Sequence, residues 1–205
     1  MLAAMRGAAQ LPLDIIDYPD IIKRAADLCA DVWIEVGKAQ LELVPESDQG
    51  YMAGDHGLKT WAPEKVIWLQ EDAMALLSPS IFEEFFLPLD RRIGREFSCL
   101  AFHLHGSGLW AVDQLVRVPE INVLELNLEA AACDETSIFE GWKKIQAYKP
   151  LVIWMLYDEN FWSWIDRLLS ELPPVGISIQ PAARNAEEGR IAYAKFLEVA
   201  SCSTR

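Results

Sequence analysis

The chain has 205 residues, 52% apolar and 10% aromatic, enough for one folded domain with a core and too hydrophobic for a disordered segment. Its 18 basic and 31 acidic residues give a formal charge of -13 with no basic stripe, which argues against binding to nucleic acid or an anionic membrane. No apolar run approaches the roughly 20 residues that span a bilayer, Arg6, Gln10 and Asp14 interrupt any signal-peptide core, and Cys29, Cys99, Cys133 and Cys202 form no C-x-x-C pair. A soluble, unexported protein of the reducing cytoplasm is expected.

After an irregular start, Pro19 opens a long helix on which Ile21, Ala25, Leu28, Val32, Val36, Ala39 and Leu43 recur at the helical period, ending near Pro45. The stretch 46–64, with Gly50, Gly54, Gly57 and Pro63, reads as a long functional loop or lid in which His56 is exposed. A strand is expected over 66–72, then a helix that Ser78 caps, Pro79 begins, and Ile81, Phe82, Phe85, Phe86 and Leu89 make amphipathic. Strands follow at 98–105, 121–129, 151–157 and 175–180, alternating with helices near 108–117, 137–147, 160–171 and 186–200. This alternation predicts a single α/β domain over 1–205, with about five parallel strands, each followed by a helix, behind the long N-terminal helix. Five strands cannot close an eight-stranded barrel, which typically needs about 250 residues, so the sheet is either open or a partial TIM barrel. A partial barrel would expose two sheet edges and an apolar lumen face, which favour a homo-oligomer.

The most informative local pattern is Cys99-Leu100-Ala101-Phe102-His103-Leu104-His105-Gly106. Strand side chains alternate, so His103 and His105 share one face while Leu100, Phe102 and Leu104 take the other. Two metal-capable, proton-carrying groups at the C-terminal end of such a strand are the layout of an α/β active site. The other strands add polar residues: Gln70 and Asp72 on the first, and Glu125, Asn127 and Glu129 on the third, opposite Leu124, Leu126 and Leu128. The fourth ends in Tyr157-Asp158-Glu159, and the fifth offers Ser178 and Gln180 opposite Ile177 and Ile179. Glu125, in mid-strand, cannot be buried unpaired and calls for His105, a metal, a ligand or water nearby. Plainer readings stand beside these. A strand-end histidine can be structural, Glu129, Asp158 and Glu159 can be solvated loop residues, Tyr157 can be a packing residue, and Trp154, Trp162 and Trp164 suit a core or interface.

The run Gln70-Glu71-Asp72, then Leu77-Ser78-Pro79-Ser80-Ile81-Phe82-Glu83-Glu84-Phe85 with Pro88, then Phe102-His103-Leu104-His105-Gly106, resembles the uroporphyrinogen decarboxylase superfamily. That group includes the decarboxylase and cobalamin-dependent methyltransferases. The resemblance implies the C-terminal part of a (β/α)₈ barrel, with the family's first three or so strands missing. In the methyltransferase branch an H-x-C pair at this strand end holds a zinc ion that activates a substrate thiol, with a further cysteine near the last strand. Here His103 matches the histidine and His105 stands at the cysteine position, an acceptable zinc ligand. Gly176-Ile177-Ser178-Ile179-Gln180 carries no cysteine, so the third ligand falls to Glu125, Asp72 or an outside group. The decarboxylase branch implies cleft arginines and a late histidine that have no counterpart here, and an acidic lumen would repel its polycarboxylate substrate.

The expected function is therefore an enzyme of this superfamily acting on a small molecule, most concretely by metal-assisted methyl transfer. His103, His105 and Glu125 would hold zinc; His105, Glu125, Asp72 and Tyr157 would be catalytic; Gln70, Asn127 and Gln180 would bind substrate. A corrinoid-carrying protein is the partner this implies. One alternative is a metal-free, decarboxylase-like lyase in which His105 works as general acid or base against Glu125. The other is a catalytically incomplete barrel fragment.

Overall fold

A computed structural model describes residues 1–53, 60–128 and 134–202 of the chain. His56, Glu129 and Cys133 fall outside them. The start is helical rather than irregular, with α1 (Leu2–Arg6) and α2 (Leu11–Asp17) ahead of the long helix α3 (Pro19–Glu42). The helical period over 19–42 holds, but the stripe it points to is not the one that packs. Ile22, Ala26, Ala30, Ile34 and Gly37 are buried, whereas Ile21, Leu28, Val32 and Val36 are 50–65% exposed. The helix carries two apolar stripes, and the one with small residues lies against the domain because it permits closer approach. A Cβ on Gly37 would stand 3.0 Å from Phe97 Cζ and 3.2 Å from Ile67 Cδ1. No helix among the described residues is long and apolar enough to cross a membrane.

The stretch expected as loop contains a small antiparallel sheet of β1 (Glu46–Ser47), β2 (Gly50–Ala53) and β3 (Thr60–Ala62). Asp48 and Gln49, at φ 52° and 62°, close the β1–β2 turn in the left-handed region. Neither residue is glycine or asparagine, which is why the turn has no obvious signature in the sequence.

The main sheet is parallel and runs in chain order: β4 (Val66–Gln70), β5 (Cys99–Leu104), β6 (Val123–Leu126), β7 (Leu151–Leu156) and β8 (Ile177–Ala182). β4 and β6 are shorter than expected. Asp72 therefore sits on a 3₁₀ turn, Asp72–Leu76, and Asn127 lies just past its strand. Between β4 and β5 the single expected helix divides into α4 (Pro79–Phe85) and α5 (Leu87–Gly94). Pro88, in the first turn of α5, has no N–H to carry the earlier helix onward. Ser78 caps α4, its hydroxyl accepting from the Ile81 N–H at 3.3 Å. Ser78→Ala is expected to cost about 1 kcal/mol in chemical denaturation; an unchanged midpoint would refute the cap's contribution.

A 3₁₀ turn at Gly106–Ala111 and the short α6 (Val112–Leu115) follow β5; α7 (Glu135–Gln146), α8 (Phe161–Glu171) and α9 (Ala186–Cys202) follow β6, β7 and β8. Alternation assigns the two faces of the sheet. Leu100, Phe102, Leu104, Leu124, Leu126, Leu151, Ile153 and Met155 join Phe82, Phe139, Trp142, Phe161 and Ile165 of the helices in one large core. The opposite face holds a small cluster of Val66, Cys99 and Ala101, with Trp68 and Val123 against it. Fully burying each large apolar side chain contributes about 1.5–3 kcal/mol, so the helix-covered face fixes the register of the sheet. That register aligns Gln70, His103, Glu125, Val152 and Ser178 in one row across the other face.

Candidate functional site

The row puts His103 of β5 beside Glu125 of β6 and Gln70 of β4. Glu125 is fully buried, and the imidazole it pairs with is His103 rather than the expected His105: its Oε2 lies 2.8 Å from His103 Nδ1. Accepting from that Nδ1–H leaves His103 Nε2, in the neutral ring, as a bare lone pair. This nitrogen meets His105 Nε2 at 3.1 Å, with the two rings nearly perpendicular at 87°. His105, at the mouth of the strand, also places Nε2 3.1 Å from Asp72 Oδ1. Gln70 steadies Asp72 by donating to both carboxylate oxygens at 2.9 and 2.8 Å.

Ligand atoms of Asp72, His103 and His105 all lie within 4.8 Å of one another. Two nitrogens bound to one tetrahedral zinc stand about 3.3 Å apart, close to the spacing of the two Nε2 atoms. A pocket of about 10 Å³ opens among Glu71, Asp72, His103, His105, Ser107 and Gly108, the room of a single ion or water. The donor set, one carboxylate and two imidazoles with a second carboxylate behind one ring, fits zinc. Glu125, expected as a ligand or as the group that orients the site, stands behind His103, while Asp72 stands in front. Glu125 Oε1 and Asn127 Oδ1 are buried with no hydrogen-bond partner among the described residues.

The remaining candidates lie farther along the sheet. Asn127 is buried just past β6, its backbone N–H bonded to the Leu104 carbonyl at 3.1 Å. Gln180 pairs with Trp154 at the β8 edge. Tyr157 accepts from Trp162 Nε1 at 3.4 Å and lines a depression with Asp158, Glu159, Trp162 and Arg184.

Sequence reading did not single out two further carboxylates. Burial pushes Glu71 up to about 7, against the pull of the Met1 α-amino charge and with the Asp72 charge adding to the rise. Burial also pushes Asp90, on α5, well above the usual carboxylate range, with Glu71 adding. Asp90 lies between Phe86 and Ile93 on the apolar side of its helix, a displacement of charge from the solvent face that the period could have flagged.

Comparison with known proteins gives no relative: no protein-family model matches the chain, and no curated protein or solved structure matches it.

Proposed function

We propose that the chain is an enzyme acting on a small molecule by metal-assisted group transfer at the end of β5, with methyl transfer to a thiol as its concrete form. The observation that carries this reading is the convergence of Asp72, His103 and His105 within 4.8 Å, with Glu125 behind His103. Those three residues would hold a divalent ion such as zinc, which when bound lowers the pKa of a coordinated thiol or water. Glu125 holds His103 in the tautomer that opens Nε2, and Gln70 holds Asp72 in place. His105, partly exposed, is the member a substrate reaches. Asn127, Gln180 and Tyr157 are the proposed substrate-side residues.

The sequence resemblance supports this class and adds a corrinoid-carrying protein as the methyl-donating partner. The chain-order run of parallel strands supports a partial (β/α)₈ barrel, since barrel strands follow one another whereas doubly wound sheets reverse direction from a central strand. β4 and β8, as sheet edges, favour a homo-oligomer.

One observation favours a second reading. Glu125, His103, His105 and Asp72 form a continuous chain of contacts, a proton relay that could serve a metal-free lyase. Elemental mass spectrometry on protein purified without chelator, with light scattering for its mass, separates the two. The expected result is about one zinc per chain, lost in the His103→Ala, His105→Ala double variant and weakened about 10–100-fold in Glu125→Gln. Absence of zinc after reconstitution overturns the metal reading in favour of the relay. A heterogeneous, aggregating product would instead favour an incomplete fragment.

A further inference from the structure

A cavity of about 320 Å³ lies between α3, α5 and the end of β4, walled mainly by apolar side chains that include Trp33, Leu69, Leu77, Phe86 and Ile93. Into this wall α5 inserts Asp90, which is 0% exposed. Neither of its carboxylate oxygens has a hydrogen-bond partner among the described residues. Glu71 lines the same space. No lysine, arginine or histidine lines it among the described residues; the α-amino group of Met1, at the exposed rim, favours the ionised form of Glu71 but makes no hydrogen bond to Asp90.

A buried carboxylate without a partner destabilises a fold, and an apolar residue between Phe86 and Ile93 would serve packing better. Its presence therefore calls for something outside the chain. That something carries positive charge: of the three carboxylates that line the space, Asp72 is taken up by Gln70 and His105, while Asp90 and Glu71 meet no cationic side chain among its lining residues. A small inorganic cation asks for six or more oxygen ligands, and this wall is mostly carbon. An ammonium group on an apolar body satisfies both halves: its N–H groups meet the carboxylates and its carbon surface meets the wall. Trp33 adds an aromatic surface suited to a cation. The volume falls in the range of small-molecule pockets.

We propose that this cavity is a binding pocket for a small organic ammonium ion, with Asp90 as the buried anchor and Glu71 as its second carboxylate. The inference is independent of the metal centre, although the two sites share the segment Glu71–Asp72. Titration calorimetry on chelator-treated protein tests it with hexylamine, cyclohexylamine and phenethylamine. Cyclohexanol and cyclohexanecarboxylate serve as neutral and anionic counterparts, and magnesium chloride as an inorganic cation. At least one amine is expected to bind with a Kd below about 1 mM and about tenfold or more tighter than cyclohexanol. Asp90→Asn, of the same shape, is expected to lose that discrimination while keeping a cooperative melt. The His103→Ala, His105→Ala variant is expected to keep it, so failure of the metal reading leaves this result intact. Overturning results are no amine binding up to about 10 mM, equal binding of amine and alcohol, unchanged discrimination in Asp90→Asn, or displacement of the amine by magnesium alone.

Discussion

Asp90→Asn is expected to melt higher than the parent protein at pH 6 and above, and to melt with it near pH 4. The folded protein holds the Asp90 proton that the unfolded chain releases, because burial raises this carboxyl well above its ordinary value, with Glu71 adding. A group whose folded pKa is raised stabilises fully below its unfolded pKa, here about 3.9, and that contribution is lost as pH rises through the folded value. The parent thus loses about 1.4 kcal/mol per pH unit from about pH 4 upward until Asp90 ionises, or about 3–6 °C per unit for a chain of this size. The amide variant has no proton to lose and follows a flatter curve. Differential scanning calorimetry from pH 4 to 8 reads this directly. A variant that melts lower than the parent at pH 8, or a difference independent of pH, would contradict the assignment. A gain in stability alongside a loss of amine affinity would mark Asp90 as a residue retained for binding.

The second large effect is expected at Trp142. Its ring is fully buried on α7, edge-on to Phe139 at 5.0 Å and to Trp164 at 6.2 Å. Its Nε1 donates to the Leu126 carbonyl at 3.0 Å. Trp142→Ala removes the largest side chain of the core and should cost about 3–5 kcal/mol in urea denaturation. It also leaves the Leu126 carbonyl without that donor, between Glu125 and Asn127. The end of β6 is therefore expected to loosen, and any zinc binding at the proposed site to weaken, in a protein that remains folded at low temperature. Trp142→Phe should recover much of the packing but not the hydrogen bond. A loss below about 1 kcal/mol in the alanine variant would show that the core closes over the gap.

Much of the sheet was legible because period-two alternation and turn chemistry are local. The run 99–106 alone separates His103 from Leu100, Phe102 and Leu104, and 123–126 separates Glu125 from Leu124 and Leu126. What no single strand contains is register. The pairing of His103 with Glu125 depends on how β5 and β6 slide against each other, which is settled by the core on the opposite face. Asp72 moved from a strand to a turn because β4 ends two residues early, and that places it in front of the histidines. In α3 the period identifies a helix but leaves open which of two apolar stripes packs; the small side chains decide that through closeness of approach. The β1–β2 turn uses Asp48 and Gln49 rather than glycine, so propensity gives no warning of it. Asp90 was hidden by habit, since a charge on a helix is ordinarily read as facing water.

The row from Gln70 to Ser178 lies on the side of the sheet away from the large core, one residue out of step with the leucines that hold the domain together. The residues that pack the core and those proposed for chemistry thereby occupy alternate positions of the same strands. A lineage can exchange an imidazole for another donor at 103, or a carboxylate at 125, while leaving positions 100, 102, 104, 124 and 126 untouched. Substitution at the row therefore need not disturb the packing that holds the fold.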